Sequence, residues 1–183
     1  QIYNSNRYMI HARLERWGFE AIDLGVAPDD FDEVRSLLRD AAGSADVIVT
    51  SGGVSVGEED HVRNQVERLG QLELWKLAIK PGKPLAFGRV GQTPFIGLPG
   101  NPVSAMVTFE QFVRPLLRRF IDQADIQPET LLVETARKIP SKLGTEEFLR
   151  VKLGRVEDRV VAAPLPRGAG CITTITEADG ILR

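Results

Sequence analysis

Apolar positions recur along the first 120 residues in two alternating rhythms, one helical and one strand-like, and the pattern changes after residue 130. Ile10, Leu14 and Trp17 share one face of a helix that Asn4 or Ser5 can cap and Gly18 stops. Residues 19–24 read as a strand. Asp29 and Asp30, after Pro28, open a helix with Phe31, Val34, Leu37, Leu38 and Ala41 turned inward. Residues 46–50 form the next strand, and their β-branched run, Val47, Ile48, Val49 and Thr50, suits a buried central place in a parallel sheet. A short helix over 61–69 ends at Gly70. Residues 72–79, 85–90 and 94–98 read as strands, the last two joined by Gly91 and Gln92 as a hairpin. Pro102 stands at the start of a long helix over 103–120. This alternation predicts a mainly parallel sheet covered by helices on both faces.

Beyond the polar stretch 122–130 the pattern becomes short strands separated by Pro and Gly, at 131–135, 148–153, 160–163 and 171–175. The expected organisation is α/β: a three-layer domain over 1–121, a linker over 122–130, and a small β-barrel-like module over 131–183. A helix at the very start lacks the strand that should precede it, and residues 181–183 read like a strand beginning. Both domains are therefore expected to be truncated pieces of a longer protein.

Composition narrows the function classes. At 183 residues and 43% hydrophobic, the chain can bury one domain and a smaller second one. No apolar stretch approaches the roughly 18 residues of a membrane span, and no signal-peptide pattern opens the chain. The net charge of −2 offers no general attraction for nucleic acid. One cysteine, Cys171, excludes an internal disulfide and fits a reducing compartment; its apolar β run predicts a buried structural residue. His11 and His61 are too few for most histidine-based metal sites and read as helix-surface or partly buried residues. Charge is unevenly spread: residues 1–70 carry −6, residues 71–120 carry +5, and the rest −1.

Three segments carry chemistry. In SGGVSVGEED (51–60) a strand opens into Gly52, Gly53 and Gly57, with hydroxyls from Ser51 and Ser55, at the edge of a sheet where α/β proteins hold ligands. An isolated Gly-Gly is an ordinary strand-to-helix turn, but the hydroxyls and the following helix N-terminus favour an anion. Asp60 precedes the helix and can cap it while also reaching a Mg²⁺ ion, which takes few protein carboxylates. In WKLAIKPGKP (75–84), Lys76, Lys80 and Lys83 flank Pro81, Gly82 and Pro84, and the prolines stiffen a loop presenting ammonium groups to phosphate or oxyanion. In GLPGNPVSA (97–105), Pro99, Gly100, Asn101 and Pro102 lead into a helix and repeat the anion-binding logic. Asp29 and Asp30 divide evenly between helix start and site.

Together these three segments resemble the molybdopterin molybdenumtransferase family, also called MoeA, which includes the E domain of gephyrin. The resemblance covers residues 1–120, and the opening QIYNSN is similar to the segment after that domain's first strand. It implies a molybdopterin-binding α/β domain followed by a β-barrel, and the last step of molybdenum cofactor assembly. In that step adenylylated molybdopterin and molybdate are the substrates, AMP is released, and Mg²⁺ or a similar ion assists. By motif, Asp60 would be the essential carboxylate beside metal and molybdate, and Lys76 and Lys80 would contact oxyanion or phosphate. Pro99 and Pro102 would shape the pocket, Asp29 would join the acidic set, and residues 51–57, with Ser55 and Gly57, would cradle the pterin phosphate. The resemblance also implies a cytoplasmic homodimer whose partner completes the site, and a molybdopterin adenylyltransferase as upstream partner. Ala169 stands where the family often has Ser, which marks a subgroup. The alternatives are the adenylyltransferase itself, of the same fold, and a non-catalytic molybdopterin-binding or scaffold module.

Overall fold

Asn4 caps the first helix, α1 (Ser5–Arg16), by accepting from the Arg7 amide at 3.2 Å. Arg13 and Arg16 in its last turn suit the negative end of the helix dipole, and Gly18, at φ +79°, ends it. These details come from a computed structural model that describes residues 4–27, 29–53, 61–124, 126–168 and 171–183, with Trp75 described by its backbone alone. The chain divides into two units, Gln1–Leu77 with Gly82–Gly100, and Ala78–Pro81 with Asn101–Arg183.

In the first unit, Asp30 caps α2 (Phe31–Ser44) by accepting from the amides of Asp32 and Glu33, each at 2.9 Å. Val34, Leu38 and Ala41, spaced at helical repeat, are its buried stripe. They pack with Ile48, Val66, Ala86, Val90 and Phe95 into one core, which α3 (His61–Leu69) closes through Val66. Gln65 of α3, fully buried, donates to the Phe31 carbonyl at 2.8 Å.

The sheet of this unit contains β1 (Ile48–Ser51), β2 (Gly70–Lys76), β4 (Pro84–Val90) and β5 (Thr93–Leu98), in the order β1-β5-β4-β2. The α/β class holds, but the sheet is mixed rather than mainly parallel. Among the described strands of this sheet only β1 and β5 pair in parallel, because the Gly91–Gln92 turn sends β5 back along β4, and β2 also runs against β4. Nor is β1 central: β5 is its one neighbour among the described strands, and although Ile48 is buried, Val47 and Val49 are half-buried. Residues 19–24 form no strand. No described neighbour offers them a ladder; Asp23 instead accepts from Arg7 Nε at 2.8 and 2.6 Å, leaving Ile22 and Leu24 exposed. That bond, followed by the Gly25 amide, holds the Asp23 carboxyl below its usual pKa.

Where β2 meets β4 the backbones approach too closely for side chains. A Cβ on Gly88 would lie 2.2 Å from the Gln71 carbonyl oxygen, and one on Gly70 would lie 2.0 Å from that of Arg89. Gly88→Ala is therefore expected to cost about 3 kcal/mol or more, in the upper tail of single substitutions, as read by urea unfolding. A loss below about 1 kcal/mol, the centre of that distribution, would mean the strands can part without penalty.

The second unit contains β3 (Ile79–Lys80) paired in parallel with β7 (Glu146–Glu147), and a helical rod over 102–120. The rod comprises α4 (Pro102–Thr108), a π-helical turn (Phe109–Val113) and α5 (Arg114–Phe120). The sequence predicts one regular helix here. Pro115 has no amide to give Gln111 and its ring crowds that turn, so the helix widens just before it and the Arg114 amide reaches the Phe109 carbonyl.

The unit's sheet has the order β10-β8-β9-β6, from β6 (Glu134–Thr135), β8 (Leu149–Val156), β9 (Arg159–Pro164) and β10 (Gly180–Leu182). Its end strands β6 and β10 do not pair with each other, so the expected barrel is an open sheet among the described residues. Residues 171–175 are not a strand either, since Thr173–Glu177 forms α6. The Thr174 hydroxyl and amide both bond to the Cys171 carbonyl, and the Thr176 hydroxyl to that of Thr173, local bonds that override the β-branched composition. Cys171 is exposed as a result, not buried. Asp179 accepts from the Leu153 amide at 2.9 Å and from Lys152 at 3.1 Å, and these bonds, in that order, depress its pKa. Their contribution is complete above the ordinary carboxylate range and is lost as pH falls through the depressed value.

Candidate functional site

The carboxyl ends of the two parallel strands lie side by side, Ser51 of β1 opposite Leu98 of β5. Beyond them the chain enters two glycine segments at once. Gly52 and Gly53 take φ values of +85° and +67°, a backbone that L side chains rarely adopt, and the Gly52 amide donates to the Leu98 carbonyl at 3.0 Å. A Cβ on Gly100 would sit 3.6 Å from the Gly52 Cα, so the two segments meet backbone to backbone.

Asn6 ties them together. It lies in the first turn of α1, is only 4% exposed, and its Nδ2 donates to Ser51 Oγ and to the Gly100 carbonyl, each at 2.8 Å. Its Oδ1 is buried without a partner among the described residues, as is the Thr50 hydroxyl at the end of β1. The sequence reading missed Asn6 as a site residue. The signal was present, since Asn6 stands four positions before Ile10 and so shares the buried face of α1.

Pro99 is buried and Gly100 exposed. The next residue, Asn101, uses its side chain to cap α4 by accepting from the Val103 amide at 3.2 Å, with Pro102 in the first helical turn. Lys76 ends β2 opposite Pro84, and the pairing of Ala86 with Gly97 puts that end of β2 at the same end of the sheet as Ser51 and Leu98. Three strand spacings separate β1 from β2, roughly 14 Å at the usual interval. The glycine turns and the exposed Lys76 thus stand at opposite sides of one end of the sheet.

Lys83 is exposed, and its carbonyl accepts from the amides of Leu77 and Leu85, closing the loop that contains Pro81 and Gly82. Lys80 belongs to the second unit, where its Nζ lies 3.5 Å from Glu147 Oε1. Asp29 is fully exposed, 3.4 Å from His61 Nε2, and the pair links the start of α2 to that of α3. Ser55, Gly57 and Asp60 lie outside the described residues, as do Glu58 and Glu59. Among the described residues no group of three His, Cys, Asp or Glu could hold a metal ion.

A further residue escaped the sequence reading in the second unit. Arg150, 4% exposed, donates to Thr174 Oγ1 at 3.2 Å and to the carbonyls of Pro166 and Gly168 at 2.7 and 3.3 Å. Burial pulls its pKa down, while Cys171 acts in the opposite sense. A charge within the apolar run of residues 148–151 was its only signal.

Parallel strands ending in paired glycine turns define an α/β protein with the kind of sheet edge at which such folds hold ligands. Comparison with known families gives the class a name. Residues 1–119 match the family described as "Probable molybdopterin binding domain", and residues 133–183 match the MoeA C-terminal region, domain IV. The chain belongs to the first of these families. A molybdopterin molybdenumtransferase of Haemophilus influenzae is 50% identical over 123 residues, covering 67% of this chain and 30% of that protein. Molybdopterin molybdenumtransferase 2 of Mycobacterium tuberculosis is 36% identical and covers all of this chain and 46% of itself. The crystal structure of a molybdopterin biosynthesis MoeA protein from Pyrococcus horikosii superimposes with a TM-score of 0.81 at 32% identity, over 100% of this chain and 44% of that one. The chain thus spans less than half the length of these relatives.

Proposed function

We propose that the protein takes part in molybdenum cofactor biosynthesis, placing molybdate on the dithiolene of adenylylated molybdopterin as the phosphoanhydride is hydrolysed and AMP leaves. The observation that carries this reading is the pair of glycine turns at the ends of β1 and β5, clasped by Asn6, in a chain of the molybdopterin-binding family. The turns would take the pterin phosphate, and Lys76 and Lys80 would meet phosphate or oxyanion as charge-assisted donors. Pro99 and Pro102 would hold the second turn stiff. Mg²⁺ would supply charge neutralisation at the phosphates; its one candidate ligand, Asp60, lies outside the described residues.

The adenylyltransferase of the same fold is the weaker reading, because it does not account for the match of residues 133–183 to the MoeA C-terminal region. A homodimer, an adenylyltransferase as supplier of the substrate, and a cytoplasmic setting belong to the same proposal. Among the described residues no helix is long and apolar enough to cross a membrane. Incubation with adenylylated molybdopterin, molybdate and Mg²⁺ should release AMP in step with molybdenum incorporation. Binding of the pterin without any AMP, in this chain and in the full reading frame that encodes it, would reject the transferase reading.

The same proposal treats residues 122–130 as a linker between domains over 1–121 and 131–183. Brief proteolysis should therefore cut first between Asp122 and Thr130, where most described residues are exposed. First cleavage inside the sheet of either unit would contradict the boundary.

A further inference from the structure

Lys80 and Glu147 occupy paired positions of β3 and β7, in a parallel ladder that the Phe148 amide closes on the Lys80 carbonyl at 2.8 Å. Paired positions of neighbouring strands present their side chains to one face. The Lys80 ammonium lies 3.5 Å from Glu147 Oε1, and Arg167 Nη2 lies 3.3 Å from Oε2 while donating to the Pro140 carbonyl at 3.0 Å. Exposure gives this triad its meaning. The Glu147 side chain is 10% exposed, those of Lys80 and Arg167 62% and 40%. One nearly sealed carboxylate thus holds two cations whose charged ends remain in reach of solvent.

As a stability device the arrangement is poor. Burying a carboxylate has a large desolvation cost, and Arg167 approaches Oε2 outside hydrogen-bond alignment, leaving that oxygen without a hydrogen bond. What the triad does accomplish is placement. A lysine ammonium on its four-carbon stem sweeps a wide volume unless something holds it, and Glu147 holds Lys80 from one side and Arg167 from the other.

We propose that Glu147 is a positioning residue for anion binding, fixing Lys80 and Arg167 as a two-cation clamp for a tetrahedral oxyanion such as molybdate or phosphate. It touches no ligand and acts through the two cations. The inference rests on the reading above in which Lys80 contacts oxyanion or phosphate.

Electrostatics alone makes the opposite prediction, which gives the test its edge. Removing a negative charge beside an anion site should tighten binding. If Glu147 positions the clamp, Glu147→Gln should instead weaken binding of inorganic molybdate by about tenfold, the change one charge-assisted hydrogen bond makes in an equilibrium constant. Calorimetric titration of the protein with sodium molybdate, repeated with inorganic phosphate, reads this directly. Lys80→Ala should weaken binding at least as much, and Glu147→Gln should cost less in the Lys80→Ala background than in the parent, because only its hold on Arg167 is then left to lose. Should Glu147→Gln fail to fold by its melting curve, Glu147→Asp decides: it keeps the charge but withdraws it by one methylene, and a several-fold loss supports the clamp. Unchanged or tighter binding in the variant that folds would overturn the proposal while leaving Lys80 in its role. Wild-type affinity in Lys80→Ala would instead remove the reading beneath it.

Discussion

Asp60→Asn should lower molybdenum insertion by orders of magnitude while leaving pterin binding and stability close to those of the parent. The exchange keeps side-chain volume and one acceptor oxygen. Asn caps helices about as well as Asp, so any capping that the residue before His61 provides survives. What disappears is the negative charge, and with it the capacity to hold a divalent cation or an adjacent proton donor during transfer of an oxyanion. A group that acts on the reacting atoms is expected to cost about 10²–10⁴-fold in rate, whereas a cap of preserved geometry costs almost nothing. Two measurements separate these outcomes: molybdenum incorporated per minute, and the affinity for molybdopterin by fluorescence quenching. Incorporation near the parental rate would end the catalytic assignment of Asp60, and loss of pterin binding in equal proportion would move its role to the ground state.

The sequence was most legible where the chain decides its conformation locally. Asn4 and Asp30 cap the helices they precede, α3 runs over the predicted residues, and Gly91–Gln92 turns β4 into β5. It was least legible where a partner distant in the chain decides. Residues 19–24 have strand composition, yet a strand exists only in a ladder, and Asp23 settles on Arg7 instead. Residues 171–175 read as a strand until the Thr174 hydroxyl finds the Cys171 carbonyl. The hairpin of β4 and β5 is legible at Gly91–Gln92, but no turn signal announces that β2 runs against β4, so the sequence still reads as a mainly parallel sheet. The glycines and lysines of the candidate site stood out because each is an unusual choice for its element. Asn6 and Glu147 did not, because their importance lies in contacts made across long stretches of chain. Asn6 reaches 45 positions to Ser51 and 94 to Gly100.

Asn6→Ala should be the most damaging substitution of a described side chain at the glycine turns. The buried amide makes two hydrogen bonds of 2.8 Å, and truncation strips the donor from the Ser51 hydroxyl and from the Gly100 carbonyl together. Each bond is worth about 1 kcal/mol net, and neither acceptor is sealed from solvent, so a loss of about 2 kcal/mol is expected in urea unfolding. Losing Oδ1, which has no partner among the described residues, relieves a buried unpaired oxygen and offsets part of this. Asn6→Asp separates the clasp from simple packing. It matches Asn in size but has no donor for the Gly100 carbonyl, and it buries a charge beside that oxygen, so it should destabilise at least as much as Ala. Ser51→Ala, which leaves the bond to Gly100 intact, should cost roughly 1 kcal/mol, the worth of one bond. The same order should appear in affinity for a phosphorylated pterin, because the Gly52–Gly53 turn keeps its place beside Gly100 only while the clasp holds. If Asn6→Asp were as stable as the parent, the two turns would be held by their backbones alone, as through the bond from the Gly52 amide to the Leu98 carbonyl.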